Sequence, residues 1–242
     1  MRIVAWNCNM ALHRKLAALL ALRPDVAVLS ECASPERLAE RLGAAGLGCE
    51  PVWIGANRDK GLAVLAFNGY RARLAEEAYR RSLRFIAPIR IEGPLRFNLL
   101  AVWAQNFSDG IRRKRQPGPL RLALTRDYRA FLGEGPAIVA GDFNNNIFWD
   151  RPGYLINHSH TVSLLENYGL VSAYHHARGE AQGACRSIER RGIPGNTRAS
   201  HDAKEAEGAA GYGLGHQRSR SARRWSYGWA WSPAVQNEQS RE

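Results

Sequence analysis

Three clusters of polar residues stand at the ends of apolar, strand-like runs. Asn7 and Asn9 follow "RIVAW", Glu31 closes "VAVLSE", and Asp142 with Asn144, Asn145 and Asn146 follows "AIVAG". Open sheets gather ligand sites at strand C-termini, because side chains from several strands converge on one crevice there. A carboxylate and an amide offer oxygen donors of the kind Mg²⁺ takes, with positions left for water and a phosphate oxygen. A second carboxylate nearby can orient or deprotonate an attacking water. Any one of these residues alone reads equally as a helix cap or turn former; their joint occurrence, in order, points to chemistry.

The elements that must carry these residues can be read from periodicity. "RIVAW" is followed by Leu12, Leu16, Leu19 and Leu20 at helical spacing, up to the break at Pro24. "VAVLSE" leads to Ser34, a predicted N-cap, with Pro35 at the first helical position and Glu36 in the first turn. That β-α-β-α start implies strands in one sheet with helices covering a face. The middle of the chain reads differently. "EPVWIG", "GLAVLAF", "SLRFIAPIRIEG" and "LRFNLLAVWAQ" are strand-like with short connections, the last two flanking Gly93-Pro94 as a hairpin. A basic loop, "RRKRQPG", precedes a helix from about Pro119 that places Leu120, Leu124, Tyr128 and Phe131 on one face. A strand "AIVAGDF", a short helix "TVSLLENYG" and a strand "LVSAYHHA" complete the pattern.

Beyond about residue 183 the periodicity stops. Between Ala184 and Glu242 the only Ile, Leu, Val, Met or Phe residues are Ile188, Ile193, Leu214 and Val235. Such a composition buries too little apolar surface to offset chain entropy, so the expected division is a patterned unit over 1–182 and a disordered, Arg-rich tail over 183–242. The tail has ten basic and six acidic residues, a net +4. Two origins fit it: a genuine nucleic-acid-binding arm, or a shift of reading frame near codon 183. Translating the other frames from that codon separates them.

The whole chain of 242 residues carries a formal charge of +12, which favours an anionic partner such as nucleic acid or phospholipid. The charge is almost all arginine, with lysine only at 15, 60, 114 and 204, a pattern expected of a GC-rich genome. Cys8, Cys32, Cys49 and Cys185 form no C-x-x-C pair and suggest neither a zinc site nor a disulfide framework. The N-terminus lacks the apolar core of a signal peptide, and no run of 18 apolar residues exists. The expectation is a cytoplasmic monomer without membrane insertion.

"RIVAWNCN", "LLALRPDVAVLSE", "KGLAVLAF" and "AIVAGDFNNN" resemble, in order and spacing, the metal-dependent endonuclease/exonuclease/phosphatase superfamily, which includes deoxyribonuclease I-like enzymes and apurinic endonucleases of the exonuclease III type. The resemblance covers about residues 1 to 180. It implies a four-layer α/β sandwich of two mixed β-sheets flanked by helices, and hydrolysis of a phosphoester, with nucleic acid as the leading substrate. Phospholipid, a small phosphoester, or a non-catalytic nucleic-acid-binding module are the alternatives. Residue by residue, Glu31 would bind Mg²⁺ (or Mn²⁺) with Asn7 in or beside its shell, and Asp142 would activate the water. Asn144 would contact the phosphate and help fix Asp142, with Asn106 a further phosphate contact. By position alone, Asn145 in the loop that follows Asp142 and His158 after that loop are candidates to line the pocket, Asn145 reading equally as a residue that tolerates the tight turn.

One departure is plain. The family ends with an Asp on a late strand and an S-D-H motif before the last strand, whereas this chain has "RASHDAKEAEG" at 198–208, with the letters in another order. The expected fold is therefore one whose last strands are missing, and a catalytic histidine is not found.

Overall fold

The structure, a computed structural model, describes residues 1–43, 46–105, 118–144, 150, 152, 157–173 and 228–233. Among the described residues, ten strands form two mixed sheets. The first sheet has the order β1-β2-β4-β3, from β1 (Ile3–Asn7), β2 (Val26–Cys32), β3 (Val52–Asn57) and β4 (Lys60–Ala66). The second has the order β5-β6-β7-β8-β10-β9, from β5 (Arg71–Leu74), β6 (Ile86–Glu92), β7 (Phe97–Trp103), β8 (Ala137–Asp142), β9 (Leu170–Ser172) and β10 (Gly228–Pro233). β1 runs parallel to β2 and β7 parallel to β8, each pair needing a crossover; the remaining pairings are antiparallel.

Side-chain alternation divides the apolar residues into three cores and so sets four layers. Ala27 and Leu29 of β2 pack with Leu12 and Leu19 of α1 (Leu12–Ala21) and Leu38 of α2 (Pro35–Leu42). Val26 and Val28, one residue out of phase, face the second sheet and meet Leu99, Ala101, Ile138 and Ala140. Leu100, Val102 and Val139 point outward onto Leu120, Leu124, Tyr128, Phe131 and Leu165. The period of 2 along buried strands thus assigns each residue to one of two cores, and the sandwich expected from sequence is the one observed.

Local chemistry explains the element ends. Ser34 Oγ accepts from the Arg37 N–H at 3.3 Å and Pro35 opens α2, as its sequence requires. The expected helix from Pro119 is broken in three: α3 (Pro119–Leu122), a π-helical stretch (Ala123–Asp127) and α4 (Arg129–Gly133). The wider π turn keeps Leu120, Leu124, Tyr128 and Phe131 all buried on one side. α5 (His158–Asn167) begins four residues before the apolar pattern does, because Asp150 accepts from the N–H groups of His158 and Ser159. Leu20, expected on the inner face of α1, is 43% exposed instead. Cys8 and Cys32 are buried free thiols; their mutual hydrogen bond, then burial, push the Cys8 thiol well above its ordinary range.

Two strands differ from expectation. β5, "RARL", has two charged positions and no apolar run, yet it pairs with β6 as the edge of the second sheet, where alternate residues face water. β10 lies in the stretch read as a disordered tail, and pairs antiparallel with both β8 and β9. A strand therefore fills the sheet where the last strands were expected to be missing. The count of Ile, Leu, Val, Met and Phe overlooked "GWAWSP", whose tryptophans alternate at the strand period.

Candidate active site

The strand alternation that builds the core between the sheets also delivers the polar residues. Ile3, Ala5 and Asn7 share one face of β1; Val26, Val28 and Ser30 share one face of β2; Ile138, Ala140 and Asp142 share one face of β8. Asn7 pairs in register with Ser30, and Trp103 with Asp142. The inter-sheet core thus ends, at one edge, in a row of polar groups rather than apolar ones.

Asp142 is the centre of that row and is 2% exposed. Its Oδ2 accepts from Asn7 Nδ2 at 3.1 Å and from Ser30 Oγ at 3.5 Å, and its Oδ1 accepts from the Asn144 N–H at 3.1 Å. The first two donors come from the other sheet, so the contact ties the two sheets together. Asn7 is itself oriented: its Oδ1 accepts from the Asn9 N–H at 2.9 Å, which leaves the amide nitrogen turned toward the carboxylate.

The backbone around these residues is specialised. Glu31 has φ 53° and sits where the β2–β4 register shifts between Leu29 and Cys32. The bulge re-aims a side chain that strict alternation would send into the helix-side core. Asn9, Met10 and Asn144 also have positive φ, the last at 46°, which an asparagine tolerates better than most residues. Gly141 has φ 141°, and a Cβ there would lie 1.9 Å from the Val102 carbonyl oxygen, so only glycine fits before Asp142.

Glu31 is 8% exposed, and its Oε2 lies 3.5 Å from Lys60 Nζ. The same ammonium stands 5.2 Å from the centre of the Trp103 ring, which in turn packs on Phe85 with centroids 4.5 Å apart. Glu31 and Asn7 supply hard oxygen donors suited to Mg²⁺, while among the described residues no three His, Cys, Asp or Glu side chains converge. An ion held there would rely on water and substrate for its other positions.

Of the residues singled out from sequence, Asn7, Asp142 and Asn144 come together directly, and Glu31 stands one residue past Ser30 on β2. His158 is the buried first residue of α5. Asn106, Asn145 and Asn146 lie outside the described residues, as does the "RASHDAKEAEG" stretch. Sequence reasoning missed Ser30, Lys60 and Trp103. Each had a signal: Ser30 continues the Val26–Val28 row, Lys60 opens "KGLAVLAF", and Trp103 ends the buried run of β7.

No family model and no curated protein matches the chain. Solved structures do. An AP endonuclease from Archaeoglobus fulgidus matches with a TM-score of 0.51 at 13% identity, covering 96% of this chain and 84% of its own. The 3′-5′ exonuclease NExo from Neisseria meningitidis gives 0.50 at 19% identity, over 75% of this chain and 76% of that one. The AP endonuclease LMAP from Leishmania major gives 0.50 at 15% identity, over 74% and 70%. At these identities the likeness is one of fold. With two mixed sheets, three cores and a polar row at one end of the inter-sheet core, the chain has the fold of the endonuclease/exonuclease/phosphatase superfamily.

Proposed function

We propose that the chain is a Mg²⁺-dependent phosphodiester hydrolase acting on nucleic acid. The observation that carries this reading is the Asp142 carboxylate, fixed by three donors at the mouth of the inter-sheet core, with the Glu31 carboxylate at the same end. Asp142 orients a water and takes its proton as the nucleophile forms. Asn7, Ser30 and the Asn144 N–H hold that carboxylate in one orientation, so little rearrangement is needed when the proton moves. Glu31, with Asn7 beside it, would hold the divalent ion, whose contribution when bound is to neutralise charge developing on the phosphoryl oxygens. The Asn144 side chain and, from the family resemblance, Asn106 are assigned to the phosphate, while Asn145 and His158, from their positions in and after the loop that follows Asp142, are assigned to its surroundings.

The net charge of +12 favours a polyanionic substrate such as nucleic acid; among the described residues no helix is long and apolar enough to cross a membrane. The structural neighbours named above as AP endonucleases and an exonuclease support the same choice. The test is a cleavage panel with an abasic-site duplex, plain DNA, RNA, a phospholipid and a generic phosphodiester, each with Mg²⁺ and with EDTA. Mg²⁺-dependent cleavage that disappears in Asp142→Ala is the expected result. Binding without turnover on every substrate would assign a nucleic-acid-binding module instead.

A further inference from the structure

Lys60 is rooted in a turn that the protein fastens firmly. Asn57 and Lys60 pair across the β3–β4 connection, and Asn57 Oδ1 accepts from the Asp59 N–H at 2.9 Å. Asp59 Oδ1 accepts from Arg37 Nε at 3.0 Å and Arg41 Nη2 at 2.8 Å, both on α2. The Ser34 N–H donates to the Arg58 carbonyl at 2.7 Å, and Arg58 pairs with Glu40. The backbone of Lys60 is thus set by helix α2, while its four-carbon arm stays free to move.

That arm lays its ammonium between the sheets, near Glu31 of the first and the face of Trp103 of the second. The side chains of these partners differ in exposure: Glu31 11%, Lys60 36%. The ammonium has three donors, and a carboxylate at 3.5 Å with a ring face leaves donors directed at solvent. With the lysine end open to water and the contact at 3.5 Å, the pair is screened and stabilises the fold by only about 0–1 kcal/mol, so stability does not account for a lysine carried to this spot on a fastened turn.

We propose that Lys60 is a phosphate-binding residue of the site, parked on Glu31 and Trp103 in the ligand-free protein and turned onto a phosphoryl oxygen when the ligand enters. The assignment rests on the site being one for phosphoesters. It gives the site a cation of its own, able to bind the anionic group without a metal ion.

The experiment uses the full chain in EDTA at fixed low salt, with a fluorescent single-stranded DNA oligonucleotide ending in a 3′-phosphate as the probe, followed by anisotropy. Lys60→Met should weaken binding about tenfold, and Lys60→Arg should restore most of it. Arg73→Met, on the edge strand β5 and paired with Glu92, reports the loss from removing any one positive charge. Melting curves confirm that each variant is folded. Absence of wild-type binding, or a loss in Lys60→Met no larger than in Arg73→Met, overturns the proposal. Cleavage by the wild type with Mg²⁺ separates the two readings. If it cleaves nothing while the Lys60-specific loss persists, the hydrolase falls and the phosphate site stands. An active wild type whose Lys60→Met binds like Arg73→Met keeps the hydrolase and removes Lys60 from its site.

Discussion

Asn7 and Asp142 are 135 residues apart in sequence, sit on different sheets, and share a 3.1 Å hydrogen bond from Nδ2 to Oδ2. Because Asn7 Oδ1 is held by the Asn9 N–H, the amide cannot turn without losing one of two bonds. Asp142→Asn keeps the shape of the carboxylate but removes its basicity, and should lower kcat for phosphodiester cleavage by about 10²–10⁴. Asn7→Ala removes one of the donors to Asp142 and should cost about tenfold in kcat by loosening its orientation. Steady-state kinetics on the cleaved substrate check both; an Asp142→Asn enzyme with unchanged kcat removes the general-base role.

Gly141 ties the site to the fold by sterics alone. A Cβ at φ 141° would press on the Val102 carbonyl oxygen of the neighbouring strand, which belongs to the β7–β8 ladder and has no room to yield. Gly141→Ala should destabilise the protein by more than about 3 kcal/mol, combining backbone strain with overpacking. Urea unfolding gives the number, and a change under 1 kcal/mol, by the usual scale for tolerated substitutions, would mean that the strand is straighter there than described.

Much of this was legible in the chain, and the reasons are physical. Val26 to Glu31 and Ala137 to Asp142 are strands buried on both faces, so their apolar runs are continuous and end abruptly in a carboxylate; a pattern of that kind survives in a single sequence. The parity that groups Asn7, Ser30 and Asp142 was equally present, yet Ser30 went unnoticed because a serine amid apolar residues carries no charge to mark it. Lys60 was invisible for another reason: its meaning comes from Trp103, which reaches it only through the packing of one sheet on the other. β5 and β10 escaped because one is an edge strand of alternating charge and the other draws its strand character from tryptophan.

Tyr128 predicts how stability responds to alkali. Its hydroxyl donates to the Ile86 carbonyl at 2.9 Å and accepts from the Arg80 N–H at 3.1 Å, joining the helical layer to β6 and to the connection before it. Burial pushes its pKa up to about 12. The folded state therefore holds the phenolic proton more tightly than the unfolded state, whose tyrosines titrate near 10. Its stabilising contribution is complete below pH of about 10 and is lost as pH rises toward about 12. Tyr128→Phe should reduce that alkaline slope and lower stability at neutral pH by about 1–3 kcal/mol, since the Ile86 carbonyl and Arg80 N–H lose their partner. Denaturation at several pH values between neutrality and 11 checks the sign; a slope undiminished in Tyr128→Phe would assign it to the other groups that burial shifts upward, Tyr79 and Tyr168 among them.

β10 links the C-terminal segment to the site through backbone pairing with β8. Gly228 stands opposite Asp142, and Trp229, Ala230 and Trp231 continue along β8, while the other edge of β10 carries β9. A chain ended after residue 227 would leave one edge of β8 unpaired and separate β9 from the sheet. Amides of the Ala137–Asp142 strand should then exchange faster with deuterium, and the truncated protein should aggregate more readily than the full chain. Phosphodiester cleavage should fall as well, although none of the residues assigned to the chemistry has been removed, because Asp142 loses the strand that flanks it. Hydrogen exchange followed by mass spectrometry on peptides spanning Ala137–Asp142 decides the matter: equal protection in the two chains would show that β10 does not hold β8 in solution, and that the site is supported by β7 and the first sheet alone.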